Sequence, residues 1–102
     1  MDEVFKALGD PTRLRIVQML AKHGEVCVCQ IVCELGMNQP AISHHMAKLK
    51  QAGLLNSRKA EQWIHYSLKV DALREGPAAF LAEIVQLAEA SADAGSRVPC
   101  CE

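Results

Sequence analysis

The sequence predicts a mainly α fold closed by one β-hairpin, on three observations. Apolar residues recur at helical spacing in several short stretches, each bounded by helix-start and helix-stop residues. One later stretch, Trp63-Ile64-His65-Tyr66-Ser67-Leu68, alternates and is aromatic and β-branched, as a strand should be. Finally, 102 residues that are 50% hydrophobic and 23% charged suit one domain with a modest core. Only 4% are aromatic, so that core is expected to be aliphatic.

The elements follow in order. Val4, Phe5, Ala7 and Leu8 suggest a short helix ended by Gly9. Asp10 as N-cap and Pro11 in the first turn open a second helix, running to about Lys22. Its buried stripe is expected to be Leu14, Val17, Leu20 and Ala21, widened by Ile16, with Arg13, Arg15, Gln18 and Lys22 outward. Cys29 to Leu35 fits a short third helix up to Gly36, and Gly36-Met37-Asn38 is a tight connection. Asn38 then caps a fourth helix, with Pro40 in its first turn and Gly53 as its stop. Ile42, Met46 and Leu49 line one face of it, with His45 beside them. Ser43, His44, Lys48 and Lys50 line the other.

Leu54 to Leu68 reads as two extended runs around a polar tip, Ala60-Glu61-Gln62. A two-stranded hairpin is marginal alone, so Trp63 or Tyr66 is expected to pack it on the helices. Val70 to Glu75 reads as a connector, and Pro77 as the start of a last helix to about Ala92. Phe80, Leu81, Ile84, Val85, Leu87 and Ala88 give that helix more apolar surface than so small a domain can cover. Burial against a second copy, with help from the N-terminal helix, accounts for the excess. The expected organisation is one domain at 1–92, which also dimerises, and a tail at 93–102.

Helix, Gly-containing turn, helix, then hairpin is a helix-turn-helix with a wing. A short helix with an apolar back and a small, polar and cationic front suits a DNA major groove. Charge supports this. The chain has net charge −1, but residues 38–69 carry Lys48, Lys50, Arg58, Lys59 and Lys69 against Glu61 alone, net +4. Residues 70–102 are net −4. The positive charge thus sits where phosphate neutralisation needs it. Arg58 and Lys59 can meet the phosphate backbone beside the groove. A homodimer presents two such helices to a palindrome.

No apolar run approaches the roughly 18 residues of a membrane span, and the N-terminus lacks the pattern of a signal peptide, so a cytoplasmic protein is expected. Five cysteines in that compartment point to thiols kept reduced for metal binding or redox chemistry. Cys27, Cys29 and Cys33 fall close together and favour thiophilic ions such as arsenite, antimonite, Cd(II), Zn(II) or Cu(I). Cys29 and Cys33 share a helix face. Cys27 joins them only if the start of the helix is bent or frayed. Ligand binding would then distort the first helix of the helix-turn-helix and so release DNA. Cys100 and Cys101 form a vicinal pair that offers a second or alternative site, with two sulfurs suited to a methylated arsenical. No histidine has paired ligand spacing. The absence of C-x-x-C and of any nucleophile–base constellation argues against an enzyme.

Four motifs in this order, LGDPTRLRIVQML at 8–20, VCVC at 26–29, NQPAISHHMAKLKQAGLL at 38–55 and SRKAEQWIHYSL at 57–68, make the chain resemble the ArsR/SmtB family of winged-helix metal-responsive repressors. It looks like the arsenic-responsive branch, whose members often carry E-x-C-V-C before the recognition helix. The resemblance implies a homodimer that represses its own operon and leaves DNA when As(III) or Sb(III) binds, with no resting cofactor. It places Gln39, Ala41, Ser43, His44 and Lys48 at recognition-helix positions and Arg58 and Lys59 at wing positions. It also implies Cys27, Cys29 and Cys33 as the first-choice ligands. The branch's spacing is C-x-C-x-x-C, whereas here Val32 stands in the third place and Cys33 follows, a rotation of about 100° on a helix. Some family members bind inducer through C-terminal cysteines, a role open to Cys100 and Cys101. Others sense zinc through Asp and His pairs on the last helix, which residues 70–102 exclude because they contain no histidine. Thiol-based redox sensing and Cd, Zn or Pb sensing remain the alternatives.

Overall fold

The computed structural model describes residues 1–91. The N-terminal half is helical. α1 spans Asp2–Leu8 and α2 Pro11–His23. Asp10 caps α2 as its sequence position implies, accepting from the N–H groups of Thr12 at 2.8 Å and Arg13 at 3.2 Å. The buried stripe of α2 differs from expectation. Ile16 and Leu20 are buried, Val17 is half-buried, and Leu14 (47% exposed) and Ala21 face outward. A stripe through Leu14 turns too far round the helix to join the core that Ile16 and Leu20 enter. Arg13 turns inward instead: its Nε donates to the Ala7 carbonyl at 2.6 Å and its Nη1 to His45 Nδ1 at 3.2 Å.

A two-residue strand, β1 (Val26–Cys27), precedes α3 (Val28–Leu35) and went unread in the sequence. Gly36 ends α3 with φ 65°, the left-handed conformation that glycine tolerates without cost from a Cβ. α4 (Gln39–Gln51) follows, with Asn38 Oδ1 accepting from Ala41 N–H at 2.9 Å. The helix-turn-helix is therefore α3–turn–α4, as the spacing predicted. Ile42, Met46 and Leu49 are fully buried in it.

The wing is β2 (Leu55–Ala60) and β3 (Trp63–Leu68), paired antiparallel from Leu55↔Leu68 to Ala60↔Trp63. β1 adds to its other side through Val26↔Tyr66 and Cys27↔His65, giving the order β1-β3-β2. Of the two aromatic candidates, Tyr66 packs against the core and its phenol pKa is raised by burial. Trp63 lies at the tip of the hairpin, beside the turn, and is exposed.

The C-terminal segment corrects the expected connector. Val70–Leu73 is already helical (α5), and the backbone continues through a π-turn at Arg74–Ala78 into α6 (Ala79–Ser91). Pro77 sits inside the π-turn and is buried. In an α-helix it would remove one hydrogen bond and strike the carbonyl four residues back. The wider i→i+5 turn makes room for the ring and lets the helix continue past the missing donor.

The core is aliphatic: Ile16, Leu20, Ile31, Ile42, Met46, Leu49, Leu54 and Leu55 are its largest fully buried side chains. Burying each contributes about 1.5–3 kcal/mol, so the helix-turn-helix and the root of the wing are held mainly by packing. α6 contributes none of these. Phe80, Leu81, Ile84, Val85 and Leu87 on it are all exposed, and Phe80 alone meets another aromatic, edge-on to Phe5 with centroids 5.7 Å apart. No helix among the described residues is long and apolar enough to cross a membrane.

Candidate nucleic-acid interface and thiol pair

On α4, Gln39, Ser43, His44 and Lys48 are all exposed to solvent, and Ala41 is half-buried. His45, half-buried, turns towards α2. Arginine has no acceptor, so Nδ1 must accept the bond from Arg13 and the ring proton is assigned to Nε2. The pair ties the back of α4 to α2 and stiffens the helix that presents the outer face.

The wing stands beside this face and is tied to it. Lys50 Nζ donates to Ser57 Oγ at 2.6 Å, which links the last turn of α4 to β2. Lys59 is exposed on β2. Arg58 is exposed too but has a partner that the sequence did not reveal. Its Nη2 and Nε donate to the two carboxylate oxygens of Glu25, at 2.6 and 2.8 Å. The hydrogen bond from Arg58 holds the Glu25 carboxyl below its ordinary pKa, and Glu25 in turn raises that of Arg58. Glu25 lies 33 residues from Arg58, and only its place just before the cysteine run could have flagged it.

The cysteines divide. β1 is extended through Cys27 and α3 begins at Val28, so the strand-to-helix junction bends the chain between Cys27 and Cys29. Their sulfurs come into contact, with Cα atoms 5.2 Å apart. Cys27 is also the N-cap of α3: its Sγ accepts from Cys29 N–H at 3.3 Å, and Gln30 Oε1 accepts from Cys27 N–H at 2.9 Å, a capping box built on sulfur. The bend invoked from sequence for Cys27 to join the others is therefore present. Cys33 does not share the result. It is exposed and opens into a cavity of about 460 Å³ lined also by Met19, His23, Glu25 and Glu34. No group of three or more His, Cys, Asp or Glu poised for a metal ion occurs among the described residues. Cys100 and Cys101 lie outside the described residues.

A helix-turn-helix with a basic outer face, flanked by a wing, is a duplex-DNA reader. Residues 10–57 match the family model described as bacterial regulatory protein, arsR family. An HTH-type transcriptional regulator of Methanocaldococcus jannaschii, itself uncharacterized, is 49% identical over 73 residues, 72% of this chain and 82% of the relative. The chain belongs to the ArsR family. It is accordingly a DNA-binding transcriptional regulator and not an enzyme. The arsenical resistance operon repressor of Escherichia coli is 48% identical over 66 residues, covering 65% of this chain and 56% of the repressor. The chain thus spans just over half the length of that relative. Among solved structures, a possible transcriptional regulator for arsenical resistance superposes with TM-score 0.70 at 30% identity, over 87% of this chain and 95% of the other.

Proposed function

We propose that this ArsR-family chain is a cytoplasmic, homodimeric repressor of an arsenic-resistance operon, released from its operator when trivalent arsenic or antimony bonds to Cys27 and Cys29. The observation that carries the reading is the junction between β1 and α3, which brings these two sulfurs together at the start of the helix-turn-helix. The likeness to the arsenical repressor supports the choice of inducer. Each thiol that bonds to As(OH)₃ displaces one hydroxide, which leaves as water with the thiol proton. Two sulfurs satisfy a monomethylated arsenical. Inorganic arsenite takes a third, and Cys33 supplies it once the first turn of α3 unwinds, with Cys100 and Cys101 as the alternative source.

In this reading Gln39, Ser43, His44 and Lys48 contact bases and phosphates in the major groove, while the Ala41 methyl meets an apolar base edge. Lys59 and Arg58 contact the flanking backbone. The uncovered apolar residues of α6 join two copies, with α1 alongside through Phe5. Mobility shift of the chain's own promoter tests the proposal. Arsenite should release the DNA, and replacing Cys27, Cys29 and Cys33 together by Ser should abolish release. If Cys100/Cys101 replacement abolishes it instead, the site lies in the tail.

The contact between Cys27 and Cys29 also favours a second reading, a redox switch. Peroxide would oxidise the two thiols to a disulfide and be reduced to two waters. Reversible release by peroxide with no response to arsenite would select it.

A further inference from the structure

We propose that Glu25 is a positioning residue that carries the state of the thiol pair to DNA, by holding Arg58 of the wing. The inference rests on the reading above, that an inducer occupies Cys27 and Cys29. It differs from the sequence expectation that the signal passes through the first helix of the helix-turn-helix.

Three observations converge on Glu25. Its carboxylate grips Arg58 side-on, through Nε and Nη2. That geometry leaves the Nη1 amino group of the guanidinium for another acceptor such as a phosphate oxygen, so the grip can aim Arg58 without consuming it. Next, Glu25 is two residues from Cys27, and Cys27 and Arg58 are both cross-strand partners of His65 on β3. Thiol, histidine and arginine therefore form one row across the sheet, with Glu25 closing the row from β1 to β2. Last, Glu25 lines the same cavity as Cys33. A third sulfur recruited from Cys33 would be drawn towards β1 past this residue.

The physics of the junction supplies the motion. Cys27 Sγ holds the N-terminus of α3 by accepting from Cys29 N–H. A metalloid bonded to that sulfur takes the place of the thiol proton and sets a new direction for the sulfur's lone pairs, so the cap on Cys29 N–H is re-aimed and the junction must rearrange. Beyond the first turn of α3 the helices are the stiff side: Ile31, Ile42 and Met46 are fully buried. The wing is the compliant side, since β2 and β3 are mostly half-buried or exposed beyond Leu55. Displacement of Glu25 is then expressed as a displaced Arg58.

The test uses the full chain, operator DNA and sodium arsenite. Affinity is measured by fluorescence anisotropy with and without saturating arsenite, in wild type, Glu25→Gln, Arg58→Lys and the double variant. Arsenic–thiolate absorbance confirms binding in each. Lysine keeps the charge that DNA attracts but cannot be held bidentate. The expected result is that arsenite binds all four proteins alike, while the arsenite-induced drop in DNA affinity shrinks about fivefold or more in each single variant and no further in the double. A full drop in Glu25→Gln with arsenite bound overturns the proposal, because the signal then bypasses this pair. Wild type that binds no arsenite, or keeps its DNA when arsenite is bound, overturns the function proposed above and this inference with it.

Discussion

Cys27 has two duties at one atom, capping α3 and, in the proposed function, holding the inducer. They separate by substitution. Cys27→Ser keeps an oxygen cap and should leave thermal stability nearly unchanged while removing arsenite binding. Cys27→Ala removes the cap as well and should lower stability by about 1 kcal/mol in denaturant unfolding. Asp10 offers a second residue-scale check. The backbone N–H of Arg13, and then that of Thr12, holds its carboxyl below the ordinary value of 3.8. A depressed carboxylate stabilises the fold above its unfolded pKa and loses that contribution as pH falls through the folded one. Unfolding curves of wild type should therefore weaken as pH drops below about 4, and Asp10→Asn should flatten that limb. At this scale the sequence was partly readable. The bend that joins Cys27 to Cys29 could be stated as a condition, because strand and helix directions are fixed by geometry. The Glu25–Arg58 pair could not, since two exposed charges far apart in sequence leave no periodic trace.

The helix-turn-helix was legible because its signals are local. Asn38, Pro40 and Gly53 bound α4, and Ile42, Met46 and Leu49 recur at the spacing of one helical face. Met46→Ala should cost about 3 kcal/mol, since its side chain is fully buried. Gly36→Ala should cost about 1 kcal/mol from backbone conformation, as open space surrounds the added carbon. Two elements escaped the sequence for opposite reasons. β1 is two residues long, too short for any alternation to register. The stretch from Val70 looked broken because proline usually opens or ends a helix, and a π-turn hides that rule. The buried stripe of α2 was misplaced by several side chains, because partner positions and not periodicity alone choose which apolar residues face inward.

On the scale of the molecule, apolar surface and charge are segregated. The basic segment holds the groove-reading helix and the wing, and the acidic C-terminal segment holds the uncovered apolar helix. Such a surface on α6 suits a second copy, whose two-fold axis would set two α4 helices on one face of a duplex. Leu81→Glu together with Ile84→Glu should convert a dimer to a monomer in sedimentation velocity and weaken operator binding, with the helical circular-dichroism signal retained. A variant that stays dimeric would move the interface elsewhere.

Release of DNA through the Cys27–Cys29 pair is tested by titrating arsenite into the chain bound to labelled promoter DNA, in parallel on wild type and on Cys27→Ser/Cys29→Ser. The wild-type complex should dissociate as arsenic–thiolate absorbance rises, while the double variant keeps its DNA throughout. Dissociation of both proteins at the same arsenite concentration would contradict release through this pair.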